Sequence, residues 1–269
     1  FNNSIHTMSA NNKISLVLGG GGLRWCAHVG VYRRMCEYDI HPDEIIGTSI
    51  GAIIGAFIAF GLSADDIDAM IASIPKTILM TPDLRTGLLS QKGILSYFSE
   101  FLGENPQIED AKIPLKIIVT NFDNGEKEVI TSGPLLAAIA ASSCLPSLFA
   151  PVKIWKYNYI DGGIVDNLAV SEAQYDHIIA VSVVADPSMQ KKRKQHIPFS
   201  IFTINRAYED LAQAFKIMLM QNELTKLGEK REKVILIKPD VSDIGLLQIS
   251  MAQEAVKRGY EAGEMLRSK

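Results

Sequence analysis

Cysteine is scarce in this chain of 269 residues, and its three members, Cys26, Cys36 and Cys144, form neither a CxxC pair nor an even set. That pattern excludes a disulfide scaffold and a structural zinc site of ordinary spacing, and it points to a reducing, cytoplasmic setting. An excess of positive charge is also lacking. Lys and Arg number 27 against 30 Asp and Glu, for a net charge of −3. With no basic field over the whole molecule, a nucleic-acid partner is not expected. Disordered and collagen-like chains are excluded by a composition of 47% hydrophobic and 21% charged residues. No signal-peptide pattern is present. Phe1 to Thr7 precede Met8, and residues 1–12 are read as a leader ahead of one domain over 13–269.

A membrane-spanning run is lacking too. Ile45 to Leu62 carries no charge over 18 residues, with Gly47, Gly51 and Gly55 at the spacing of close helix packing. Its helical part, Ile50 to Phe60, is too short for a bilayer core of about 30 Å. It is read as a buried helix.

What is present is an alternation. Short apolar runs at Ile14–Leu18, Glu44–Ile46, Leu115–Asn121, Ile178–Val184 and Val234–Ile237 read as strands. Helical spacing separates them at Cys26–Tyr38, Ile50–Phe60, Gly93–Leu102, Leu135–Ser143, along Ile204 to Met218, and from Ala252 to Leu266. Ser63 is a plausible N-cap, and Asp123-Asn-Gly125 marks a hairpin. No internal repeat appears. The pattern predicts one α/β domain with a mostly parallel central sheet flanked by helices.

Three segments carry chemistry. Gly47-Thr-Ser-Ile-Gly51 lies between a strand and a helix, where flanking glycines permit a sharp turn that exposes the Ser49 hydroxyl. Gly19 to Gly22 follows the first strand. Its third-glycine position fails for a dinucleotide fingerprint and it has no Gly-Lys-Ser/Thr. It offers unshielded backbone N–H groups to an anion, or it is a structural turn. Asp161-Gly162-Gly163 ends an apolar strand, so Asp161 is either an accessible base or a turn aspartate. Among the histidines, His28 sits in the first helix, His41 in a loop, and His177 and His196 lack any local signal.

Taken together these segments resemble the patatin-like phospholipase family, in its compact single-domain bacterial type. The resemblance runs from Leu16 almost to the C-terminus. It includes Gly19-Gly-Gly-Gly-Leu-Arg24, Ala27-His-Val-Gly30, Gly47-Thr-Ser-Ile-Gly51 and Thr120 to Glu126. It continues through Ala141-Ser-Ser-Cys-Leu-Pro146, Asp161-Gly-Gly-Ile-Val-Asp-Asn167 and Ile244-Gly-Leu-Leu247. The resemblance implies a three-layer sandwich and a lipid acyl hydrolase working through a Ser49–Asp161 dyad. Gly20, Gly21, Gly22 and Arg24 would form the oxyanion site, with Gly47 and Gly51 at the elbow and Gly162 and Gly163 after the base. No metal or organic cofactor is implied. The substrate would be a phospholipid or lysophospholipid.

One departure from the family pattern is Trp25-Cys26, where a glycine usually follows the arginine. It bears on substrate and rate, and leaves a catalytically impaired lipid-binding regulator as a rival reading. Acyl transfer or thioester hydrolysis with the same dyad is another. The basic run Lys191, Lys192, Arg193, Lys194 is either a peripheral contact with anionic headgroups or a solvated loop. Cys26 and Cys144 are read as buried thiols.

Overall fold

The computed structural model describes residues 13–75, 82–83, 88–146, 148–184, 202–227, 233–244 and 251–267. The leader, the basic run at 191–194, His196 and the side chain of Trp25 lie outside the described residues. In chain order the elements begin β1 (Ile14–Leu18), α1 (Cys26–Glu37), β2 (Glu44–Thr48), α2 (Ile50–Ala59) and α3 (Ala64–Ser73). They continue with β3 (Pro82–Asp83), β4 (Leu88–Leu89), α4 (Lys92–Leu102), β5 (Leu115–Asn121), β6 (Lys127–Ile130) and α5 (Leu135–Ser142). Then come β7 (Val152–Ile154), β8 (Tyr157–Asp161), β9 (His177–Val181), α6 (Phe202–Leu227), β10 (Val234–Ile237) and α7 (Ala252–Ala262).

The main sheet has the order β10-β9-β1-β2-β5-β8-β7, with β6 also paired to β5. The first five strands are mutually parallel. β6, β7 and β8 are antiparallel to their neighbours. β1 and β2 are buried at every position, as strands with both faces covered must be. Leu16, Leu18, Ile45, Ile117 and Val119 join one apolar core with residues of α1, α2, α3, α5 and α7. Val17, Ile46, Ile118 and Ala180 face the other way, toward Leu168 to Val170 and Leu227 of α6. Helical layers on both sides of the sheet make the expected three-layer sandwich.

Several expected local features are present. Ser63 accepts from the backbone N–H of Asp66 at 3.1 Å, and Asp66 accepts from the Ser63 N–H at 3.0 Å. This reciprocal cap satisfies two otherwise orphaned donors. Gly125 takes φ +76 in the β5–β6 turn. α2 is ten residues long, and among the described residues no helix is long and apolar enough to cross a membrane. The stretch from 75 to 93 contains the small antiparallel β3–β4 pair.

β5 decides where the functional residues meet. Ile117 and Ile118 pair with Gly47 and Thr48 on one edge and with Ile130 and Val129 on the other. Thr120 pairs with Lys127 of β6 and with Ile160 of β8. β8 therefore occupies the edge that β2 vacates. β2 ends at Thr48, opposite Ile118, and β8 arrives from the other direction to end at Asp161, opposite Val119. Two strand ends meet head-on along one edge, one residue of β5 apart.

Candidate active site

Ser49 follows the last residue of β2 and starts α2 with φ 55 and ψ −125. A positive φ away from glycine costs about 1–3 kcal/mol and survives only where the surroundings enforce it. Here the enforcement is tight packing of the turn. A Cβ on Gly51 would stand 2.1 Å from the Leu18 carbonyl oxygen, and one on Gly47 would stand 2.5 Å from the Ala52 Cα. The backbone N–H of Ser49 donates to Ser142 Oγ at 2.8 Å, and that hydroxyl donates to the Ile118 carbonyl at 2.7 Å. The elbow is thus pinned to both α5 and β5.

The Ser49 hydroxyl donates to Asp161 Oδ2 at 2.6 Å. The other carboxylate oxygen accepts the Gly163 N–H at 2.8 Å. Thr120 Oγ1 holds the Asp161 carbonyl at 2.8 Å, and the Asp161 N–H donates to the Cys144 carbonyl at 3.0 Å. Only a glycine fits at 162, where a Cβ would lie 2.2 Å from the Ile118 carbonyl oxygen. Asp161 is 1% exposed. Burial pushes its carboxyl up to about 7, against the opposing pull of the hydrogen bonds from Ser49 and Gly163. A base with that affinity exchanges protons readily at neutral pH, which suits removal of a serine proton.

The glycine run stands beside this pair. The Gly19 N–H donates to the Val181 carbonyl at 3.0 Å, and a Cβ on Gly20 would come within 2.8 Å of Ser49 Cβ. The Gly20 N–H is already engaged with Asn167 Oδ1 at 3.1 Å. Gly22 has φ +64, a conformation that favours glycine. Among the described residues, nothing accepts a hydrogen bond from the amides of Gly21 and Gly22. Gly20 therefore contributes close approach to Ser49, and among the described residues the unengaged donors are at 21 and 22. Arg24 is 1% exposed and its Nε donates to the Ile244 carbonyl at 2.8 Å. Its described bond ties the turn to the segment before α7.

The histidines play other parts. His28 is fully buried, and burial pushes it down to about 4, so the ring is neutral and its Nε2–H donates to the Gly19 carbonyl at 2.9 Å. His177 begins β9 opposite Ile14, at the far end of the sheet from Gly19 and Ser49. It does not approach the Ser49–Asp161 pair. Cys26 and Cys144 are buried, and burial lifts each thiol to about 12, which leaves them protonated at neutral pH. Among the described residues, no three His, Cys, Asp or Glu side chains gather as a metal site.

Three further contributors are not evident from the sequence motifs as read. Ser142 and Asn167 lie inside segments already singled out, where small and polar residues give no sign of their partners. Glu223 lies on α6, where an acid at helical spacing reads as a solvated face; the structure buries it against Asn167 Nδ2 at 2.7 Å.

The patatin-like phospholipase family model matches residues 16–173, a span that contains the glycine run, Ser49, Asp161 and Asn167. The chain is 29% identical over 282 residues to patatin-like phospholipase domain-containing protein 7 of Rattus norvegicus, covering 94% of this chain and 20% of that one. It is 33% identical over 277 residues to lysophospholipase NTE1 of Pyricularia oryzae, covering 93% and 18%. It thus spans about a fifth of the length of these relatives. Its fold is that of VipD from Legionella pneumophila, at a TM-score of 0.56 and 15% identity over 96% of this chain and 67% of that one. The match over more than half of its residues, carrying the elbow and the Asp-Gly-Gly turn in order, makes this chain a member of the patatin-like phospholipase family.

Proposed function

We propose that this chain is a serine lipid acyl hydrolase of the phospholipase A or lysophospholipase type. The observation that carries the reading is the 2.6 Å bond from Ser49 Oγ, on a positive-φ elbow, to a buried Asp161 poised near neutrality. Asp161 Oδ2 takes the serine proton as Ser49 Oγ attacks the ester carbonyl. The carbonyl oxygen gains the negative charge and is met by the amides of Gly21 and Gly22; each such donor is worth about 2.7–4 kcal/mol of barrier. The tetrahedral intermediate collapses, Asp161 returns the proton to the leaving alcohol, and an acyl-Ser49 ester remains. Water, deprotonated by Asp161, attacks that ester; the acid leaves and Ser49 regains its proton. These steps are served by the residues named, and a phospholipid or lysophospholipid is the substrate class that the relatives' names support.

The test is labelling with a fluorophosphonate followed by peptide mapping, together with hydrolysis of a p-nitrophenyl ester. We expect the label on Ser49, and a loss of at least about 10³-fold in kcat for Ser49→Ala. Wild-type turnover in Ser49→Ala would sink the proposal. An added alcohol converted to ester in preference to free acid would identify a transferase.

A further inference from the structure

Glu223 is a buried acid for which the reaction above has no use. It is 1% exposed, and burying a carboxylate is costly unless each oxygen is satisfied. Both are. Oε1 accepts from Asn167 Nδ2 at 2.7 Å, and Oε2 accepts from Ser182 Oγ at 2.6 Å. Lys238 Nζ stands 4.0 Å away.

The chemistry of the next link explains an acid at this place. The Asn167 side chain faces the glycine run with its Oδ1 on the Gly20 N–H at 3.1 Å and its Nδ2 3.3 Å from the Gly20 carbonyl. A carboxamide can turn over, and the inverted form would set an NH2 group against the Gly20 N–H. Both Glu223 oxygens accept, Oε1 from Asn167 and Oε2 from Ser182, so Glu223 holds the NH2 end toward itself and the carbonyl end toward Gly20. Gly20 in turn lies against Ser49, close enough that a Cβ there would fall 2.8 Å from Ser49 Cβ. The same turn of α6 reaches the base. Asn222 Nδ2 donates to the carbonyls of Gly163 and Ile164 at 3.3 and 2.9 Å, just past Asp161.

We propose that Glu223 and Asn167 are positioning residues. Glu223 orients Asn167, and Asn167 holds Gly20 so that the amides of Gly21 and Gly22 stand where the oxyanion forms over Ser49. The inference rests on the hydrolase reading above and adds to it a buried brace on α6, outside the residues that the family model matches. Neither residue touches the reacting atoms, so their removal lowers kcat while leaving KM nearly unchanged.

The test compares fluorophosphonate labelling rates and p-nitrophenyl ester kinetics for the full chain and a set of folded variants. Asn167→Ala and Glu223→Ala are each expected to lose about ten- to a hundredfold in kcat and in labelling rate, the scale of a small misplacement of catalytic groups. Their KM should stay within about threefold of wild type. The double variant should be no slower than Asn167→Ala, because Glu223 acts through Asn167. Glu223→Gln keeps an acceptor toward Asn167 and should recover most of what Glu223→Ala loses. Ser15→Ala removes a buried 2.6 Å bond to Glu44 at the opposite end of the sheet and should lower stability without changing kcat.

If the alanine variants do not fold, the near-isosteric Asn167→Asp carries the test. It sets two carboxyls together, and its labelling rate should fall with rising pH along a limb that wild type lacks. Wild type labelled at Ser49 with Asn167→Ala and Glu223→Ala labelled at the same rate would overturn the positioning role alone. Multiplying losses in the double variant would overturn the relay from Glu223 through Asn167. A wild type no more reactive than Ser49→Ala would overturn the hydrolase reading, and this inference with it.

Discussion

Asp161 holds opposing demands in one carboxyl. Burial raises its proton affinity to about 7 from the ordinary 3.8. Between those values the native state keeps a proton that the unfolded chain has released, so this residue's contribution to stability is complete below about 4 and is lost as pH rises to about 7. A rise of that size amounts to about 4 kcal/mol of stability lost by pH 8. Asp161→Asn keeps an acceptor for the Gly163 N–H and can donate to Ser49 Oγ. It should therefore be more stable than wild type at pH 8, by a margin that shrinks as pH is lowered, and it should be inactive. Urea melts at pH 5 and pH 8 check this; an equal difference at both values would contradict the buried-base account. The proposed hydrolysis needs the ionised form, so kcat/KM should rise through an acid limb near pH 7 and level off above it. Ser49 and Asp161 stand out as candidates in the sequence because each sits in a turn with glycine neighbours, while their pairing is what the family resemblance implies. Asn167 and Ser142 were not, since an amide or hydroxyl reveals its role only through its partner. Gly20 was expected to donate to the oxyanion, but its N–H is engaged by a residue 147 positions away, a pairing that no local pattern records.

The helices pack through glycine where backbones touch. A Cβ on Gly30 of α1 would lie 1.9 Å from the Val256 carbonyl oxygen, and one on Gly259 of α7 would lie 1.9 Å from that of Ala27. Backbone atoms cannot rotate aside, so Gly259→Ala must push α7 off α1. Overpacking of this kind costs about 3 kcal/mol. The expected result is a lower urea midpoint with an unchanged m value; a midpoint within error of wild type would show that α7 can shift freely. The inner face of α7 was readable from the spacing of Ala252, Ala255, Val256 and Gly259, because helical periodicity is a local property. The β5–β6 hairpin was readable from its Asp-Asn-Gly turn for the same reason. The place of β8 was not. Its apolar run and the Asp-Gly-Gly that follows announce a strand and a turn, but its seat on the edge of β5 beyond Thr48 depends on where β2 stops.

Seen as a whole, the molecule is a stiff parallel centre with an antiparallel corner, and the proposed site lies at their seam. β1, at the middle of the parallel part, pairs with β2 on one side and β9 on the other. Leu16 and Val17, Ile45 and Ile46, and Ile179 and Ala180 are each at most 1% exposed, on alternate faces of the sheet. Opening any of these strands would expose both apolar layers together, so their amides should exchange with solvent only through global unfolding. Among the described residues β7 has a single neighbour, β8, and its Lys153 is exposed. Its amides should exchange through a smaller, local opening. The pair Ser49–Asp161 takes one member from each part, Ser49 from the end of β2 and Asp161 from the end of β8. Native-state hydrogen exchange in rising denaturant therefore measures whether the corner opens independently of the centre. We expect the amides of β1, β2 and β9 to converge on the free energy of global unfolding, with those of the β7–β8 hairpin below it. One common value for both groups would mean that the Ser49–Asp161 pair is held by a single cooperative unit, and that separating Asp161 from Ser49 requires unfolding the whole sheet.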